Sequence, residues 1–346
     1  MHLNKEVTVN KSKVFVIIAL VLSVIGCSST EEVNEFDKTL YSGKPIDSLT
    51  SEDAPKTEIE AIQRGDAALQ TNNIDLALYE YIRSLSFKDG TKQADTLFTV
   101  AQIHLRKNNG QLAERALVKS LEYNPSHIKS LELLGVINSK RGLNDEAIVY
   151  FLRAINSDQE RLGSTEVATS YVDMNESIVE ALKYDSKSPE RSYIGLGILS
   201  DVNGDLDIAK RYYEKALEIN PSSSKAIVNL AYSHYMSGNY YLAQRMTNRA
   251  LKMDPNNERA INNLALIYIA LGENRQALSL FERNMDTPEA LNNLGYFLIL
   301  NGRSEEAVPY LQQAIDKRPS YYKVANENLE RALSDIRSTN KQELEN

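Results

Sequence analysis

A single cysteine, Cys27, in a chain of 346 residues leaves no partner for an internal disulfide and no thiolate cluster for a structural zinc or an iron–sulfur centre. Histidine is scarce too, with four in the whole chain. His2 lies at the amino terminus, His127 falls between two repeated units described below, and His104 and His234 stand where those units place bulky packing side chains. No acid–base pair is in view. Net positive charge is missing: the formal charge is −8, and without residues 1–26, which carry Lys5, Lys11 and Lys13 against Glu6, it is −10. Such a surface repels phosphate backbones, which argues against nucleic acid as a partner. HExxH, GxSxG and Walker A patterns do not occur, and Gly195-Leu196-Gly197 half-matches a dinucleotide fingerprint only inside a helical pattern. Enzyme activity, a small-molecule substrate, a cofactor and a metal site are therefore not expected.

Long apolar runs are absent except once. Val14 to Ile25 (VFVIIALVLSVI) follows the three lysines and ends at Gly26-Cys27, the layout of a secretory signal. It is shorter than the roughly 20 apolar residues that span a bilayer comfortably. Val24-Ile25-Gly26-Cys27 resembles the lipobox of bacterial lipoproteins. That resemblance implies a signal peptide over residues 1–26, its removal by signal peptidase II, and covalent lipid on Cys27. Each buried acyl CH₂ contributes about 0.8 kcal/mol, so three chains would hold the protein on its membrane almost permanently. Ser28 stands where an inner-membrane retention signal would have Asp, which implies the periplasmic face of the outer membrane. Residues 27–57, rich in Ser, Thr, Asp, Glu and Pro, read as a flexible tether with a reach of about 30 Å.

From residue 58 onward one pattern returns at a 34-residue interval. In Ile128 to Arg161, Leu131, Leu134, Gly135 and Asn138 fall on one helix face, Gly142 ends that helix, and Ala147, Phe151 and Ala154 mark a second helix. The two alanines let the paired helix approach closely. The scheme recurs in 190–223, 224–257 and 288–320, each closed by proline, and with small losses in 58–91, 94–127 and the short unit 258–287. These residues resemble the tetratricopeptide pattern, which implies an all-α tetratricopeptide repeat solenoid of about seven helical hairpins. Residues 58–161 form an amino-terminal subarray of three repeats, 162–189 an irregular helical insert at its boundary, and 190–320 a carboxy-terminal subarray of four. A capping helix over 321–340 and a disordered tail, 341–346, complete the division.

Stacked hairpins expose the first helix of each unit on a concave face. Asn229, Asn263 and Asn293 each lie two places before Ala231, Ala265 or Gly295, and Asn262 and Asn292 adjoin two of them. A row of carboxamides either pairs with the backbone of an extended peptide, resembling the asparagine ladder of the O-GlcNAc transferase repeat domain, or bonds to neighbouring helices. Tyr232, Tyr235, Leu266, Ile269, Tyr296 and Ile299 project from the same helices and add amphipathic area. The groove from Ser224 to Gly302 is the expected partner-binding site.

The lipobox, the polar tether, the array and the run DTPEALNNLGYFLILNGRSEEAVPYLQQAI together resemble the TadD family of tight-adherence (Flp) pilus lipoproteins. The resemblance implies a scaffold whose protein partners are the pilus secretin or other secretion components. Type IV pilus pilotins are similar in kind but lack an insert like 162–189. A regulator of peptidoglycan enzymes or of β-barrel assembly is a further alternative.

Overall fold

The computed structural model describes residues 36–45, 49, 53–164, 170–171, 174–318 and 320–345. Residues 1–26, Cys27 and Pro319 lie outside the described residues. Among the described residues, regular structure consists of sixteen α-helices and one 3-10 turn, Lys38–Leu40. Seven hairpins pair α1 (Glu58–Gln70) with α2 (Ile74–Ser84), α3 (Gln93–Arg106) with α4 (Gly110–Tyr123), and α5 (Ile128–Lys140) with α6 (Asn144–Arg161). After the short α7 (Glu176–Ala181) come α8 (Glu190–Asn203) with α9 (Leu206–Ile219), and α10 (Ser224–Met236) with α11 (Tyr240–Met253). The series ends with α12 (Glu258–Ala270) and α13 (Asn274–Glu282), α14 (Thr287–Leu300) and α15 (Ser304–Asp316), and the closing helix α16 (Lys323–Glu345).

Local chemistry explains where these helices start and stop. Thr57, Ser223, Asn257 and Asp286 each accept a hydrogen bond from a first-turn amide, satisfying a donor that has no partner within the helix. At the hairpin turns Gly142, Gly204, Gly238, Gly272 and Gly302 take φ of +71 to +86°. The first two units place Asn72 and Asn108 at that position, with φ of +57° and +58°. Asparagine is among the few residues that tolerate this left-handed conformation. The alanine pairs Ala209/Ala216, Ala243/Ala250 and Ala307/Ala314 are fully buried, so small side chains set the helix-to-helix distance as the repeat predicts.

The expected flexible tether is in part docked. Residues 36–45 form a strap over α2, α3 and α4, with Leu40 fully buried among their apolar side chains. Phe36 and Tyr41 pack around Tyr79, Lys119 Nζ reaches Asp37 at 2.5 Å, and Lys107 Nζ donates to the Ser42 carbonyl at 3.2 Å. The polar composition hid an aromatic–aliphatic trio, Phe36, Leu40 and Tyr41, whose burial drives the docking.

The strap hangs on His104, which is buried, with Nε2 2.8 Å from the Leu40 carbonyl oxygen. A carbonyl only accepts, so Nε2 carries the proton and Nδ1 is left buried with no partner. Burial pushes the imidazole below its ordinary value; the Leu40 bond works against this and Lys107 adds to it. The unfolded chain therefore binds the proton more readily. His104 contributes fully to docking above the ordinary histidine value of about 6.5, and the contribution is lost as pH falls from there through the lowered value of the docked state. Limited proteolysis of the strap should be slow at pH 7.5 and faster at pH 5.5. His104→Gln, which can still donate to Leu40, should make the two rates equal; an unchanged pH response in that variant would exclude His104 as its source.

The insert does not separate two subarrays. Helix α8 packs directly on α5 and α6, and one hydrophobic cluster runs from Ala147 through Tyr193 and Tyr213 to Leu230. Phe151 locks the junction: a Cβ on Gly135 would lie 2.5 Å from its ring, and one on Gly195 2.4 Å. Gly197 likewise leaves room for Tyr213. The Gly195-Leu196-Gly197 sequence thus serves two aromatic rings. Residues 174–182 are folded onto α9, with Met174, Val179 and Leu182 buried and Lys215 Nζ donating to the Glu180 and Leu182 carbonyls. Gln159 clamps the backbone of Lys183 through two hydrogen bonds, of 2.8 and 2.9 Å.

At the carboxy terminus the last helix runs to Glu345, beyond the expected end at 340, and takes up most of the predicted tail. Its final residues, Lys341 to Glu345, include neither glycine nor proline, and nothing in them stops a helix.

Candidate functional site

The first helices of the last four units line one face of the array, and the array curves toward it. Tyr235, on α10, accepts a 3.3 Å hydrogen bond from Asn301 Nδ2, which follows α14 two hairpins later. Residues so far apart meet only if the intervening hairpin is bridged from the concave side. Desolvation raises the Tyr235 hydroxyl's pKa, which keeps the phenol protonated in this contact.

Within this groove the asparagines divide. Asn263 Nδ2 donates to the Val228 carbonyl at 3.2 Å, joining α12 to α10. Asn293 Nδ2 lies 3.2 Å from Met285 Sδ. Asn292 is buried and accepts from Asn328 Nδ2 at 2.9 Å, so it fastens the last helix instead of facing the groove. Asn229, half-buried, and Asn262, exposed, keep unpaired carboxamides among the described residues. Three of the five side chains in the anticipated ladder thus hold the scaffold together.

The apolar positions divide likewise. Tyr232 and Tyr296 are 37% and 36% exposed, Leu266 is half-buried, and Tyr235 joins an aromatic chain from Tyr232 to Tyr240. Ile269 and Ile299 are core residues of the last hairpins and do not reach the groove. Both lie four places after the small Ala265 or Gly295 and three after the exposed position. At about 100° per residue, three places fall roughly 60° short of a full turn, and that offset carries them into the seam between hairpins.

Sequence reasoning missed the second half of the exposed surface. Ile198, Tyr232, Leu266 and Tyr296 each follow the small residue of their unit, and Val202, Met236, Ala270 and Leu300 follow four places later. Residues four apart share a helix face, so each unit contributes a pair and stacking makes the pairs a stripe. Val202, Met236 and Leu300 are 71, 51 and 49% exposed, and apolar side chains exposed together in this way mark an interaction surface. At the same positions the first two units carry Asp66 and Gln70, then Gln102 and Arg106, and the third carries Val136 and Lys140. The apolar stripe is therefore a property of the carboxy-terminal four hairpins. The signal was present as a repeat of exposed apolar pairs, masked because packing positions in the same helices are apolar too.

Among the described residues no group of histidine, cysteine, aspartate and glutamate could hold a metal ion, and no helix is long and apolar enough to cross a membrane.

Comparison with known proteins agrees with this architecture. A tetratricopeptide repeat family model matches residues 99–161 and 262–322, and a model described as anaphase-promoting complex, cyclosome, subunit 3 matches residues 202–284. The photosystem I assembly protein Ycf3 of Rippkaea orientalis (strain PCC 8801 / RF-1) is 29% identical over 92 residues, which cover 26% of this chain and 49% of that protein. The chain thus spans about half the length of the curated relative it matches. A tetratricopeptide repeat protein from Parabacteroides merdae ATCC 43184 superposes with a TM-score of 0.51 at 16% identity, covering 81% of this chain and all (100%) of the other. PilW, a type IV pilus biogenesis factor, superposes with a TM-score of 0.49 at 17% identity over 70% of this chain and 100% of its own. These likenesses are of fold: the chain is an all-α tetratricopeptide-repeat solenoid.

Proposed function

We propose that this protein is a lipid-anchored scaffold whose concave groove, from α8 to α14, binds an apolar segment of a protein partner, and that it catalyses nothing. The observation that carries this reading is the stripe of apolar pairs at equivalent positions of four successive units, exposed on α8, α10 and α14 and half-buried on α12. Amphipathic helices and extended strands both present apolar side chains at regular spacing, which is what a periodic stripe accepts. The unpaired carboxamides of Asn229 and Asn262 supply hydrogen-bonding groups beside it.

In this reading Cys27 carries the lipid, the membrane is the outer membrane, and the array works in the periplasm. The partner is a component of pilus assembly of the tight-adherence type, its secretin first. The short span between Cys27 and the strap then matters: with Phe36 docked, the folded array begins nine positions after Cys27, where composition alone had put about 30 residues between lipid and fold. The groove stays close to the bilayer in which its partner assembles.

Cys27→Ser tests the anchor. The variant should leave the membrane fraction for the soluble periplasm while keeping the helical signal and melting curve of the wild type. Retention in the outer membrane would contradict lipid anchoring, and loss of helical content would contradict the independence of anchor and array. Recovery of β-barrel precursors or wall synthases with the groove, in place of secretin or pilus subunits, would replace the pilus assignment by the envelope-regulator one.

A further inference from the structure

The opposite, convex face carries a second site. Each unit but the last has a cation six residues after the first alanine of its second helix: Arg83, Lys119, Arg153, Lys215, Arg249 and Arg283. Five of these have defined partners. Arg153 and Arg249 donate to the carbonyls of Pro125 and Pro221, the closing prolines of the preceding units. Arg83 pairs with Glu80, Lys119 with Asp37 of the strap, and Lys215 with carbonyls of the insert. The Arg283 side chain makes no hydrogen bond or ion pair among the described residues; its backbone N–H caps α13 by donating to the Phe281 carbonyl. Its unit is the short one: α13 stops at Glu282, leaving Arg283 as its cap, so Arg283 does not repeat the bond to the preceding proline.

Arg283 instead borders an open cavity of about 620 Å³ between α11, α12 and α13. Its walls match the groove that the strap fills. There, Ile82, Leu85 and Ser86 of the α2 segment face Gln111, Arg115 and Lys119 of α4. Counted from Ala243 and Ala277 as those are counted from Ala77 and Ala113, the equivalent residues are Asn248, Leu251 and Lys252, facing Arg275, Ser279 and Arg283. All six line the open cavity. Tyr268 stands where His104 stands, three places after the small residue of the first helix, and it too lines the cavity.

We propose that this cavity is a docking site for an extended acidic segment of a protein partner, bound as the strap is bound. A carboxylate meets Arg283 as Asp37 meets Lys119, an aliphatic side chain enters over Leu251 as Leu40 does in its own groove, and the Tyr268 hydroxyl donates to a backbone carbonyl as His104 does to Leu40. Lys252 and Arg275 add positive charge, and no carboxylate lines the cavity, unlike the strap groove with its Glu114 and Glu122. Charge complementarity on a chain of formal charge −8 therefore selects an acidic ligand. The same device occurs a third time within the chain, where the insert covers the α6–α9 junction and Lys215 Nζ donates to the Glu180 and Leu182 carbonyls.

The test uses the full chain in detergent and a fluorescent peptide with the sequence of residues 34–42, NEFDKTLYS, followed by anisotropy. Because the tethered strap occupies its own groove, added peptide reports on the free one. Saturable binding is expected, weakened at least tenfold by Arg283→Glu, by 0.5 M salt, and by Asn in place of Asp in the peptide; Lys119→Glu leaves it intact. Arg283→Glu should melt like the wild type, since it breaks no contact. Absence of binding would overturn the proposal. So would loss in Lys119→Glu with retention in Arg283→Glu, which would mean exchange into the strap's groove. Sedimentation of the wild type as a dimer that Arg283→Glu dissolves would also overturn it, by making the occupant a second copy of this chain.

Discussion

Gly195→Val is expected to destabilise the array by about 2–3 kcal/mol, although valine has the better intrinsic helix propensity. The ring of Phe151 lies between Gly135 and Gly195, is 1% exposed, and would meet a Cβ at either glycine within 2.5 Å. It cannot retreat from one without striking the other. Phe151→Ala should cost about 3–5 kcal/mol by opening a cavity at the same place. The two changes share one volume, so their effects should not add: with the ring gone, valine at 195 meets space and costs little. Chemical denaturation of the four proteins, wild type, the two single variants and the double, measures this. Additive costs would show that Phe151 does not join the third and fourth hairpins.

Tyr232→Ala with Tyr296→Ala should abolish partner binding while leaving the fold intact. Both rings are more than a third exposed, and neither belongs to the buried core, so their removal costs little stability. At a binding surface, a tyrosine at the centre of an apolar patch contributes about 2 kcal/mol or more, so losing two weakens binding by roughly 10³-fold. Ile269→Ala is the instructive opposite. It is fully buried, so it should lower the melting temperature through an expected loss of about 2–5 kcal/mol and affect the partner only through stability. Pull-down of partner from envelope extracts alongside thermal melts separates the two behaviours; a double tyrosine variant that binds normally would move the site elsewhere.

The helical hairpins were legible because they rest on short-range periodicity: the small residues, the buried alanines and the turn glycines recur at fixed spacing, and each has a local physical reason. Asn72 and Asn108 carried the same turn signal in a different residue. The strap was not legible, because Phe36, Leu40 and Tyr41 are three apolar residues in a polar stretch, and only the groove between α2 and α4, some 40 to 80 residues away, gives them a place to bury. The insert failed as a boundary for the same reason: the contacts of Met174, Val179 and Leu182 are with helices distant in sequence. In the groove, Tyr232 and Tyr296 are exposed and Leu266 is half-buried. Asn292, Ile269 and Ile299 are buried, because an offset of a fraction of a turn decides between solvent and the next hairpin, which spacing along the repeat does not resolve.

The central claim is that partner binding belongs to the apolar stripe of the carboxy-terminal hairpins. A photo-crosslinking amino acid placed in living cells at Tyr232, at Tyr296, and at Gln102, which occupies the same repeat position in the amino-terminal polar region, tests it most directly. The account predicts that the first two positions capture one and the same envelope protein and that Gln102 captures none of it. Capture of that protein at Gln102, with none at Tyr232 or Tyr296, would contradict it.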